Sequence, residues 1–185
     1  MIGGMTHVAL VLWLFTTSIV ILGVSGPAVA QPERPHQLEL APAPDQQKRH
    51  HPSERDQAQL DEGRVATTAL LALVTEATTL NGSRADIQPL QALIDARVVQ
   101  PERALLTAGL GILFGDVLAS ELGLSWVVVD DHRGRDLALS LHGTEVLVFP
   151  IQMIQRRLIA ANDSGTPFDL SALFAQVSAT IFLYL

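Results

Sequence analysis

The chain has 185 residues, no cysteine, 12 Lys and Arg against 19 Asp and Glu, and a net charge of −7. Without thiols there is no disulfide framework, no cysteine nucleophile and no thiolate metal site. A chain this acidic lacks the clustered positive charge that phosphate contacts need, which argues against nucleic acid as a partner.

Residues Val8 to Val24 (VALVLWLFTTSIVILGV) carry no charge and are followed by the helix breakers Gly26-Pro27 and then Ala28-Val29-Ala30. Small residues three before and one before a cut suit a signal peptidase, so residues 1–30 read as a removable signal peptide and Gln31 as the mature start. The n-region MIGGMTH holds neither Lys nor Arg, and the apolar run is long for an h-region. An uncleaved membrane anchor is therefore the alternative. Either way the protein is expected to be exported, and periplasmic or secreted. No cysteine follows the run, so lipoprotein processing is excluded. The net charge falls entirely on residues 31–185, enough chain for one domain with its own core.

Residues 31–52 hold five prolines and few large apolar residues, the pattern of a flexible linker. Lys48-Arg49-His50-His51 read as part of this solvated tail. From Ser53 apolar residues recur at helical spacing (Leu60, Val65, Leu70, Leu71, Leu73, Val74, Ala77), with Asn81-Gly82 as the stop. A second helix is expected over Asp86 to Val98, with Pro89 in its first turn. A third, opened by Pro101, runs to Gly123 and is apolar enough to be central. Its Gly109, Gly111 and Gly115 follow no strand, so they read as close-packing positions rather than as a phosphate loop.

After Gly123 the period changes to that of strands: Leu124–Val129, Leu137–Leu141 and Glu145–Phe149. The turn-rich segment 130–136 and His142-Gly143 join them as an antiparallel meander. A helix from Pro150 is expected to end at Asn162–Gly165, with Arg156 and Arg157 toward its negative end. Thr166-Pro167-x-Asp169 resembles a capping box for the last helix. The final FLYL is expected to dock into the core. The fold class is thus α+β: N-terminal helices, a three-stranded antiparallel meander and two C-terminal helices, in a single domain over residues 53–185. Trp126 and Phe149 are expected in its core.

Several local patterns here belong together: Gly111-x-x-Phe114-Gly115-Asp116-x-Leu118, then LGLSWVVVDDHRGRDLAL, Gly143-Thr144-x-Val146-x-Val148-Phe149-Pro150, the MIQRR segment and Asp169-Leu170-x-x-Leu173-Phe174. Together they resemble the domain of unknown function 3806, a mostly bacterial and often exported family, over roughly residues 100–178. Leu137 stands where a proline is expected after Gly134-Arg135-Asp136. The resemblance implies fold and boundaries. It brings no catalytic residues.

The chemistry-bearing residues are few. The mature chain has no G-x-S-x-G, H-E-x-x-H or Walker loop. His132 and His142 flank the middle strand near Asp130, Asp131 and Asp136, but the ends of a strand diverge, whereas a zinc site needs three or four converging ligands. No metal, cofactor or catalytic set is therefore assigned. Asp130 is read as a turn acceptor and Asp136 as a partner of Arg133 or Arg135. The candidate binding residues are Arg133, Arg135, Arg156 and Arg157, four of the few cations in an acidic chain, suited to an acidic ligand or partner. The functional reading is an exported, non-catalytic binding or interaction protein of the bacterial cell envelope. Its expected partner is an envelope protein or acidic ligand, with no nucleic acid and no membrane span after cleavage. The alternative is an envelope hydrolase using His132 or His142 with a nearby Asp.

Overall fold

The computed structural model describes residues 47–75, 79–132 and 134–184. The signal segment, most of the linker and Arg133 lie outside them. The described chain forms β1 (Lys48–His50), α1 (Glu54–Val74), a 3-10 turn (Arg84–Asp86), α2 (Ile87–Asp95) and α3 (Ala104–Leu122). There follow β2 (Leu124–Asp131), β3 (Gly134–Leu141), β4 (Leu147–Val148), α4 (Pro150–Ser164) and α5 (Leu170–Ile181). The fold is α+β, as expected. The sheet has four antiparallel strands in the order β1-β2-β3-β4, because residues 48–50 of the expected linker add an edge strand to the meander.

α3 is apolar nearly all round and buries residues on every side, which makes it the central helix. Its three glycines let three neighbours approach. A side chain at Gly109 would collide with Thr67 and the Gly63 backbone of α1, at Gly111 with the Ile151 backbone of α4, and at Gly115 with the Trp126 ring on β2. The main core joins α2, α3, α4 and α5, with Phe114, Leu90, Leu110, Ile154 and Leu170 fully buried. A smaller cluster of Leu60, Ile112, Val128 and Leu137 seals α1 and α3 onto the sheet. Phe149 is only half-buried.

Several boundaries differ from the sequence reading. α1 begins at a capping box of Ser53 and Asp56 but stops at Val74, where Thr75 takes extended geometry. Asn81-Gly82 instead prepares α2: both backbone amides donate to the Asp86 carboxylate, at 2.9 and 2.7 Å. Pro101 does not open α3. It sits in a turn closed by the Arg103 amide on the Gln100 carbonyl, an ordinary place for proline. Residues 130, 131 and 134–136, expected as turn, continue the β2–β3 ladder.

α4 runs three residues past Ala161 and stops at Gly165, whose φ of 68° is a left-handed cap. Arg156 and Arg157 therefore lie mid-helix, away from its negative end. Asp169 alone caps α5, accepting from the Ala172 amide, and Thr166-Pro167 stays in the connection. The terminal segment does not dock: Phe182, Leu183 and Tyr184 are 65%, 82% and 59% exposed.

Candidate functional site

Arg135 stands at the start of β3, directly across the ladder from Asp130. Its guanidinium donates to Asp56 at 2.7 Å and to Asp130 at 3.1 Å. Asp130 is also 3.3 Å from the ring nitrogen of His50 on β1. Asp56 accepts from the Ser53 hydroxyl at 2.6 Å and the Ser53 amide at 2.8 Å. Those Ser53 bonds, and then Arg135, hold its carboxyl below the ordinary value, against the opposing effect of burial. Asp136 does not pair with Arg135. It accepts from Gln152 of α4 at 2.9 Å instead.

The candidate arginines are thus distributed over separate neighbours. Arg135 is committed to α1 and β2, while Arg157 donates to Gln176 of α5 at 2.9 Å. Arg156 is exposed, and Arg133 lies outside the described residues. His132 and His142 are exposed turn residues at opposite ends of the eight-residue β3, so they do not converge. Among the described residues no group of three or more His, Asp or Glu is gathered as a metal site.

A second charged knot was not foreseen. Asp116 of α3 accepts two bonds from Arg64 of α1, both at 2.8 Å, and one from the Trp126 indole at 2.9 Å. Asp116 chiefly, and Asp61 to a smaller extent, hold the Arg64 guanidinium firmly charged. This knot fixes the places of α1, α3 and β2, and gives the half-buried Trp126 a polar partner. Asp116 and Trp126 both stand in the motifs that carry the family resemblance, but nothing in the sequence paired them. Arg64, far away in the chain, carried no signal.

Two surface features remain. The outer face of α1 turns apolar in its second half: Val65 and Leu73 are 70% and 83% exposed, with exposed Ala69 and Ala72 between them. This spacing places all four on one stripe. The other is a cleft of about 430 Å³ between the α2–α3 and α4–α5 connections, with Arg97, Val99, Leu158 and Phe168 among its lining.

Residues 86–173 match the family described as Domain of unknown function (DUF3806). The match bears out the resemblance seen in the motifs and extends it back over α2. It covers β2–β4 and places the Asp116–Trp126 pair inside the family region. A crystal structure of a protein from Bacteroides thetaiotaomicron VPI-5482 is similar in fold, with a TM-score of 0.61 at 16% identity. The likeness covers 71% of this chain and 47% of that one, so this chain spans about half the length of that protein. Comparison with curated proteins returned no match.

Proposed function

We propose that the protein is an exported, non-catalytic interaction protein of the bacterial cell envelope. Export rests on the apolar segment Val8–Val24 followed by Gly26-Pro27 and Ala28-Val29-Ala30. The observation that carries interaction is the α1 stripe. A helix in a folded domain ordinarily turns its polar residues outward, and the first half of α1 does so with Glu54, Arg55, Gln57, Asp61 and Glu62. Its second half presents Val65, Ala69, Ala72 and Leu73 to solvent. Apolar side chains grouped on one face are what a protein partner covers.

The test is cross-linking and capture from envelope extract with the tagged full chain, beside a Val65→Glu/Leu73→Glu variant. Both positions are exposed, so the variant should melt like the wild type. A partner held by the wild type and lost by the variant supports the reading. Identical retained proteins from both chains would reject it.

A further inference from the structure

We infer that the cleft between the α2–α3 and α4–α5 connections binds a short zwitterionic peptide with apolar side chains, its carboxylate on Arg97 and its ammonium toward Asp95. This goes beyond the α1 interaction reading and does not depend on it.

The cleft is built by two helix ends. α2 stops in a Schellman motif: the Arg97 amide donates to the Ile94 carbonyl at 2.9 Å and the Val98 amide to the Leu93 carbonyl at 3.2 Å. The residue that must turn left-handed there is ordinarily glycine. Here it is Arg97, with φ of 55°, the one non-glycine residue of positive φ among the described residues. Arg97 lines the cleft, is exposed, and its guanidinium forms no ion pair among the described residues. An unpaired guanidinium is a carboxylate receptor.

The cleft also carries one negative side chain. That side chain is Asp95; Ala161 and Asn162 bring the C-terminal, negative end of α4 to the same cleft, with the Ala161 carbonyl itself taken up by the Gly165 amide at 2.9 Å. A simple anion would meet Arg97 but be repelled by these groups, and a simple cation the reverse. A molecule carrying both charges satisfies both. Val99, Leu158 and Phe168, core residues with only a sliver of surface exposed, form part of its apolar lining. A volume of about 430 Å³ lies within the range of roughly 300–1,000 Å³ that small-molecule sites occupy.

The walls are fixed before any ligand arrives. Gln91 of α2 donates to the Phe168 carbonyl at 2.9 Å and accepts from the Leu170 amide at 2.8 Å, tying the α4–α5 connection to α2. The same Gln91 amide donates to Asp95 at 2.8 Å and holds that carboxylate in place. On the other side the buried Thr107 hydroxyl donates to the Gln100 carbonyl at 2.8 Å. A pre-organised wall lowers the ordering cost of binding.

The test is calorimetric titration of the full chain with leucyl-leucine, N-acetyl-leucyl-leucine and leucyl-leucine amide, repeated on Arg97→Gly. Glycine keeps the left-handed backbone, so this variant retains the fold. Saturable binding of leucyl-leucine is expected, weakened about tenfold by blocking either terminus. Arg97→Gly should weaken leucyl-leucine about tenfold and leave the amide unaffected. No saturable binding up to millimolar dipeptide, equal affinity for a blocked form, or an unchanged affinity in Arg97→Gly would each overturn the inference. The Val65→Glu/Leu73→Glu variant should bind the dipeptide normally, which separates failure here from failure of the interaction reading.

Discussion

A methyl group has no place at Gly109. Its Cβ would lie 2.5 Å from the Gly63 carbonyl oxygen and closer still to the Thr67 hydroxyl. Two helices would have to part, so Gly109→Ala should destabilise the fold by about 3 kcal/mol in a urea titration. Gly165 is a useful contrast, because nothing lies within 4 Å of an added Cβ and only its left-handed φ matters. At Asp56 the decisive property is charge. Its carboxyl is held below the ordinary 3.8, chiefly by Ser53 and then by Arg135. A depressed folded value means that the ionised form stabilises the fold above pH 3.8 and that this contribution disappears as pH falls through the folded value. Asp56→Asn should therefore be less stable than wild type at neutral pH and show a shallower stability loss below pH 4, read by thermal melts across pH.

β1 is three residues long, yet it changes how the chain enters the domain. Arg49 stands opposite Val129, and its guanidinium bonds the Thr144 carbonyl at 2.9 Å, the Glu145 carbonyl at 3.1 Å and the Glu145 carboxylate. The bonds tie β1 to the β3–β4 connection, and the ladder register puts Val129 and Ala138 on the same sheet face as Arg49. Both are buried, at 2% and 0% exposure. The strap closes an edge that would otherwise offer unpaired backbone groups. Arg49→Ala should speed amide exchange in the β1–β2 ladder about tenfold while lowering global stability by only about 1 kcal/mol, as hydrogen exchange and denaturation would show. At this scale the sequence was legible where period and composition agreed: α3, α5, β2 and β3 lie where their apolar patterns put them. β1 was hidden because Lys-Arg-His has no apolar alternation. It becomes a strand only because β2 offers an open edge and Arg49 finds distant carbonyls.

For the whole molecule, the proposed export carries a direct expectation. Mass spectrometry of the protein recovered from a producing bacterium should give Gln31 as its first residue, and an intact Met1 in the membrane fraction would favour the retained anchor. The charged residues divide by what holds them. Arg64, Asp116 and Trp126 hold α1, α3 and β2 together, and Arg135 and Asp56 clasp the hairpin to the first helix. Both knots are engaged in holding elements together. Arg97 lines a cleft and forms no ion pair among the described residues, yet no local pattern singled it out, because its left-handed backbone and the cleft walls from the α4–α5 region are set by the fold.

The amino-acid sequence by itself determined the absence of thiol chemistry, the acidic balance, the α+β class, the packing role of the α3 glycines and the family resemblance. Composition is a direct property of the chain, and apolar period and glycine placement are local signals that survive into the fold. Only the tertiary structure decided which arginines are committed, that Asp136 turns to Gln152 and away from Arg135, that the last aromatic residues stay exposed, and where two helix ends form a cleft. Each of those depends on contacts between residues far apart in the chain, and no local spacing encodes them.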